Sequence, residues 1–217
     1  MQQGSSITQA DEKSCTFCHS AAIAPYILKE SQNFRIVTDH APLVEGHLLI
    51  IPKEHYRCYG DVPAALDEEL FTLKDEVKRF FERFYAPIIY WEHGIFRQTV
   101  FHAHLHCFPF GEIVYDLSQD MHVQVVKQQD DIRQWFHHQG HYFYLEDTHH
   151  AMLFPPELEP YTRIIQDVLR PGALGRNGHT QWRSVPQRIE EGKTLIRSTI
   201  ERWQIFQQQE QEAGYAN

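Results

Sequence analysis

FHAHLHCFPF, residues 101–110, decides how this chain is read, because His102, His104 and His106 recur at every second position among apolar neighbours. Successive side chains of a β-strand point to opposite faces of a sheet, so strict alternation over this length predicts a half-buried strand. The three imidazoles then share one face. Phe101, Ala103, Leu105 and Cys107 turn the other way, toward an apolar core, and Pro109 ends the pattern. Spacing alone admits three readings: a solvated face in a chain with 15 histidines, a metal centre of side-by-side imidazoles, and nucleophilic catalysis by one imidazole whose neighbours act on the same substrate.

Working outward, FRIVT (34–38) and the apolar run at 48–51 within GHLLIIPKEH predict two earlier strands, with His47 at the entrance of the second and His55 past its exit. Between Pro63 and Tyr85 the period changes. Leu66, Leu70, Leu73, Val77, Phe80, Phe81 and Phe84 recur at helical spacing with charged residues between them, which predicts a long amphipathic helix that opens on Pro63 and stops before Pro87. IIYWE (88–92) is a further strand. Strand, strand, helix, strand, strand is an α+β pattern: a mostly antiparallel sheet with the long helix packed on it.

Beyond residue 113 the pattern is mixed. Residues 119–140 predict one or two helices, 141–146 a strand, 151–160 a loop held by three prolines, and 158–169 a short helix. The Gly-rich 171–179 separates these from a closing helix carrying Ile189, Leu195, Ile196, Ile200 and Trp203. The expected divisions are a flexible lead over 1–14, a catalytic unit over 15–112 and an extension over 113–217.

A length of 217 residues suffices for one sizeable core. The formal net charge of −9 argues against a nucleic-acid partner, since a phosphate-backbone footprint needs clustered Lys and Arg. No apolar run is long enough to span a bilayer, and MQQGSSITQADEK lacks the apolar segment of a signal peptide, so a cytoplasmic protein without a membrane partner is expected. Of the four cysteines, Cys15 and Cys18 form a CxxC that suits a metal knuckle or a redox pair. No strand precedes the pair, as a thioredoxin-like unit would require.

GHLLIIPKEH, the long helix and QTVFHAHLHCFPF, taken in that order, resemble the histidine-triad (HIT) family of nucleotidyl hydrolases and transferases, whose motif alternates three histidines with apolar residues. The resemblance covers roughly Cys15 to Phe110. It implies a HIT-like fold and an enzyme that attacks the α-phosphate of a small nucleotide substrate through a covalent nucleotidyl-histidine. His104 would be the nucleophile, with His106 and His47 on the phosphate oxygens, Asp39 on the ribose hydroxyls, and Gln98 and Thr99 as the polar pair before the triad. In one branch of the family a structural zinc ion is held by residues that match Cys15, Cys18, His55 and His102. The resemblance also admits a homodimer, a zinc-stabilised nucleotide-binding module without turnover, and a dinucleoside polyphosphate phosphorylase. Arg97 stands where relatives commonly have glycine, and Trp91, Glu92 and His93 replace a stretch often rich in Asn, Gln and Gly. Trp182 and Arg183 could close over a base and a phosphate. The cluster His137, His138, His141, His149 and His150 reads as solvated surface.

Overall fold

The computed structural model describes residues 15–113, 122–177 and 184–215; the expected lead over 1–14, and Trp182 with Arg183, lie outside the described residues. Eight strands hydrogen-bond into one sheet: β1 (Ile27–Glu30), β2 (Phe34–Thr38), β3 (Leu48–Pro52), β4 (Ile89–Glu92), β5 (Leu105–Phe108), β6 (Gln124–Val125), β7 (Phe143–Glu146) and β8 (Ala151–Phe154). Their spatial order is β1-β2-β3-β5-β4-β7-β8-β6, and every neighbouring pair runs antiparallel. The fold is α+β and HIT-like, and the strands that follow residue 113 extend the same sheet.

The helices are α1 (Ser20–Ile23), α2 (Asp67–Phe84), α3 (Gln129–Gln139), α4 (Leu158–Ile164), α5 (Arg170–Asn177) and α6 (Val185–Tyr215). Pro63 adopts φ −61° and ψ 143° ahead of a single 3-10 turn at Ala64–Leu66, so the α-helix proper starts four residues later than the sequence predicts. Asp67, Glu68 and Glu69 in its first turn and Arg83 in its last complement the helix dipole. Its apolar stripe, Leu70, Leu73, Val77, Phe80 and Phe81, is buried against the inner residues of β2, β3 and β5 together with Trp203 and Phe206 of α6. At about 25 cal/mol per Å² of apolar surface removed from water, this stripe is a principal stabilising layer.

The two faces of the sheet separate by residue parity. Leu48, Ile50, Leu105 and Cys107 face α2 and α6. Leu49 and Ile51 pack with Val37 and Phe17 on the opposite face, where Trp91, Phe108 and Phe143 meet Ile164, Val168 and Leu169.

Several sequence expectations are corrected. The predicted histidine strand is regular only over Leu105–Phe108. Before it, the Ala103 amide donates to the Tyr56 carbonyl at 2.6 Å and the His102 amide to Val100 at 2.8 Å, so residues 101–104 bond to neighbouring loops and not to a sheet partner. Ala103, Leu105 and Cys107 are buried as predicted, whereas Phe101 is 61% exposed. Residues 151–154, expected in a loop, form β8, because Met152 and Leu153 pair with β7 before the prolines begin. The Gly-rich segment is helical over Arg170–Asn177. It is entered through a π-turn at Ile165–Leu169; a wider turn there relieves the clash of the Pro171 ring with the preceding helical carbonyls. No helix among the described residues is long and apolar enough to cross a membrane.

Candidate active site and metal centre

Two constellations meet at the triad. The first gathers Cys15, Cys18, His55 and His102, whose ligand atoms all lie within 4.8 Å of one another. A tight turn builds it: the Cys18 and His19 amides both donate to the Cys15 carbonyl, at 3.2 and 3.3 Å. The Cys18 thiol is 3.2 Å from His55 Nδ1 and 3.5 Å from His102 Nδ1, and the Cys15 thiol is 3.5 Å from His102 Nδ1. The other nitrogen of His102 lies 2.8 Å from the Pro52 carbonyl, to which it donates. That bond places the ring proton on Nε2 and the lone pair on Nδ1, toward the sulfurs. Burial pushes the His102 imidazolium down to about 4, so the ring is neutral. An ion about 2.3 Å from sulfur and about 2.0 Å from nitrogen in a tetrahedron sets S···N edges of about 3.5 Å. The four residues therefore fit a metal ion in both chemistry and spacing.

The second constellation lines a cavity of about 670 Å³. His104 Nδ1 donates to the His102 carbonyl at 2.7 Å, which leaves the lone pair of Nε2 available for attack. The Gln98 amide donates to the same carbonyl at 2.6 Å and lies 3.2 Å from His104 Nδ1. On the other side, the Leu43 amide donates to His47 Nδ1 at 3.3 Å. His47 must then carry its proton on Nε2, which is 3.0 Å from His106 Nδ1. This relay leaves His106 with a proton on Nε2, as a donor beside the nucleophile. Asp39 accepts from the Ala41 amide at 2.7 Å, and its other oxygen is 3.8 Å from His47 Nε2.

Burial pushes the His104 and His106 imidazoles below their ordinary range, and His47 down to about 4 despite the carboxylate of Asp39. All three are neutral near pH 7, the state in which one can attack and another can donate. Burial also works to raise Asp39, but His47, the Ala41 amide, His40 and Arg188 outweigh it and hold the carboxyl below its ordinary value.

Of the sequence-predicted residues, Asp39, His47, Thr99, His104 and His106 line the cavity, whereas Gln98 lies beneath His104 and away from the lining. Among the lining residues that were missed are Phe17, Tyr161 and Arg188. Phe17 sits between the two constellations, its ring edge-on to His102 at 5.8 Å and to His104 at 5.4 Å. Tyr161 comes from α4, and Arg188 from the first turn of α6, where it donates to the Ala41 carbonyl at 2.9 Å. A knuckle phenylalanine carries a usable signal, being flanked by both thiols. Nothing in sequence separates Tyr161 or Arg188 from other helix-surface residues. The histidines at 137, 138, 141, 149 and 150 are all exposed.

Beneath the site, Glu92 accepts from the Tyr59 amide and from the Tyr142 hydroxyl, both at 2.7 Å. It joins the loop after His55 to the strand region of the extension. Burial pushes its carboxyl up to about 7.

Residues 22–112 match the HIT domain family. Among curated proteins, "Zinc finger CCCH domain-containing protein 59" of Oryza sativa subsp. japonica is 30% identical over 100 residues, 45% of this chain and 16% of that protein. The chain thus matches about a sixth of the length of that relative. Among solved structures, a HIT family protein from Bacillus anthracis is 23% identical with a TM-score of 0.41, over 48% of this chain and 82% of that one. A Zn-bound histidine triad family protein from Mycobacterium smegmatis is 26% identical with a TM-score of 0.40, over 57% of this chain and 90% of that one.

Proposed function

With residues 22–112 forming a HIT domain as the premise, we propose that this protein is a nucleotide hydrolase or nucleotidyltransferase that acts through a nucleotidyl-His104 intermediate. The observation that carries the reading is the pair of tautomers: Nε2 of His104 bare, because its Nδ1 proton is held by the His102 carbonyl, and Nε2 of His106 protonated, because His47 donates to its Nδ1. A nucleophile and an oxyanion donor on adjacent rings, with centroids 4.9 Å apart, suit attack on phosphorus.

In the first step, His104 Nε2 bonds to the α-phosphorus and the bond to the leaving group breaks, its electron pair departing with that group. His106 donates its Nε2 proton to a non-bridging oxygen, and His47, whose own Nε2 proton is held by His106 Nδ1, keeps that donor in place. In the second step, an acceptor oxygen bonds to phosphorus and the P–N pair returns to His104; with water as acceptor, one proton passes to solvent. Phe17, Ile23, Tyr26 and Leu49 offer an apolar platform for a base, and Asp39 stands where ribose hydroxyls would be held.

Cys15, Cys18, His55 and His102 would hold a zinc ion, which when bound is closed to water by two thiolates and two imidazoles and supplies structure only. Incubation of the protein with a nucleoside phosphoramidate or anhydride, followed by intact-mass measurement, tests the reading. A nucleotidyl adduct absent from His104→Ala is expected; full turnover by that variant overturns it.

A further inference from the structure

The cavity wall facing away from Asp39 is built by the turn that leads into Gln98 and Thr99. Residues 93–97 place Gly94, Ile95 and Arg97 at φ of +52°, +84° and +53°. The last two are a β-branched and a long side chain in the left-handed region, which persists only where surrounding structure enforces it. The enforcement is visible: Tyr142 donates to the Gly94 carbonyl at 3.4 Å, Phe96 to His93 at 3.1 Å and Gln98 to Ile95 at 3.3 Å. A Cβ at residue 94 would meet the Tyr142 carbonyl at 2.4 Å. So constrained, the turn sets the Arg97 guanidinium over the rings of Tyr161 and Phe96, 5.6 and 5.9 Å from their centroids. Among the described residues no carboxylate forms an ion pair with Arg97.

The same wall holds two buried polar atoms that have no hydrogen-bond partner, Trp91 Nε1 and His93 Nδ1. Buried polar groups are almost always satisfied, so a pair of orphans in a cavity lining points to a polar ligand group. Their position relative to the chemistry is defined by His106, whose ring lies 5.2 Å from His47 on one side and 5.9 Å from His93 on the other. Asp39 and His47 belong to the first side, and Arg97 and Tyr161 to the second.

We propose that His93, Arg97 and Tyr161 form a subsite for an oxyanion leaving group of the nucleotide substrate, an inference that rests on the nucleotidyl-transfer reading above. When His104 Nε2 bonds to the α-phosphorus of an anhydride, the bridging oxygen departs with the bonding pair and the leaving group gains one negative charge. Arg97, an exposed residue at the cavity rim, faces that charge beside the rings of Tyr161 and Phe96. An amine leaving group takes up a proton as its P–N bond breaks, departs neutral, and gains nothing from Arg97. A phosphate and a carboxylate share the required chemistry.

The test compares three substrates of one nucleoside: a diphosphate-type anhydride, an acyl nucleotidate and an alkyl phosphoramidate. Arg97→Gly removes the charge while suiting the positive φ, and thermal melting verifies its fold. The expected result is that kcat/KM for the anhydride, relative to that for the phosphoramidate, falls by about 10- to 100-fold in Arg97→Gly and recovers in Arg97→Lys. The acyl arm tells which oxyanion is preferred: a fall confined to the anhydride assigns the subsite to phosphate, and a fall in the acyl arm alone assigns it to carboxylate. Equal loss for all three overturns the proposal. Calorimetry with inorganic pyrophosphate separates this inference from its premise. Binding weakened tenfold or more in Arg97→Gly, with no substrate turned over by the wild type, leaves the anion subsite standing and removes the nucleotidyl-transfer reading. Pyrophosphate binding indifferent to Arg97 removes the subsite whatever the turnover.

Discussion

The metal knuckle and the cavity beside it use the same residue types two positions apart, yet the chemistry of each is set by a different bond to the second ring nitrogen. His102 spends its Nε2 proton on the Pro52 carbonyl and turns Nδ1 to the thiols. His104 spends its Nδ1 proton on the His102 carbonyl and keeps Nε2 for the cavity. In the proposed reading one imidazole serves as a ligand and its neighbour as a nucleophile, and backbone carbonyls select the opposite tautomers those roles need. The irregular backbone over 101–104 makes this possible, since a continuous strand would have presented all three rings alike.

Four perturbations would break or sharpen that contrast. The largest effect is expected from His104→Ala, which removes the attacking atom: turnover should fall by about 10³-fold or more, with metal content by elemental analysis unchanged, and loss of metal along with activity would refute the division of labour. Cys15→Ser, or chelation of the wild type, should do the reverse. Metal content falls, and the melting temperature drops by roughly 10 °C, as removal of about 3–5 kcal/mol would produce in a chain of this size. An unchanged melting curve would deny the knuckle its structural role.

Glu92 tests whether the two regions rest on a common floor. Its carboxyl sits near 7 when folded against an ordinary value of 4.5, so between those pH values the folded chain holds a proton that the unfolded chain has released. Stability therefore falls as pH rises through that window, by about 3 kcal/mol in total, and levels off above it. Urea unfolding from pH 4.5 to 8 should show this slope in the wild type and a flatter one in Glu92→Gln; identical slopes would remove Glu92 from the account. The smallest effect is expected from Phe17→Ala, which touches both rings and neither chemistry. A fall in kcat of about tenfold or less, with KM and metal content near wild type, would mark Phe17 as a positioning residue.

Motif and periodicity were enough to read β2 to β4, the regular part of β5 and α2, because alternation and helical spacing report burial directly, while the grouping of residues into two constellations came from the family resemblance. What they missed depends on tertiary partners. The break at 101–104 follows from the bond of Ala103 to the Tyr56 carbonyl, which no local pattern announces. β8 hides beside three prolines because a four-residue strand carries too few positions to show a period. Gln98, expected on the substrate, lies 3.2 Å from His104 Nδ1 and outside the cavity lining, a placement its residue type does not announce. Tyr161 and Arg188 reach the cavity only because α4 and α6 fold back over it.

The strand order carries a consequence for where this chain can be cut. The HIT domain match ends at residue 112, yet β4, buried at every position, lies between β5 and β7. A chain ending at 112 would turn that interior strand into a largely apolar sheet edge with unpaired amides and carbonyls, the kind of surface that recruits another copy edge to edge. It would also uncover Phe80, which Trp203 and Phe206 of α6 now shield. The smallest piece that folds without self-association is therefore larger than the matched domain, and the nearly half of the chain beyond residue 112 acts as its antiaggregation cover.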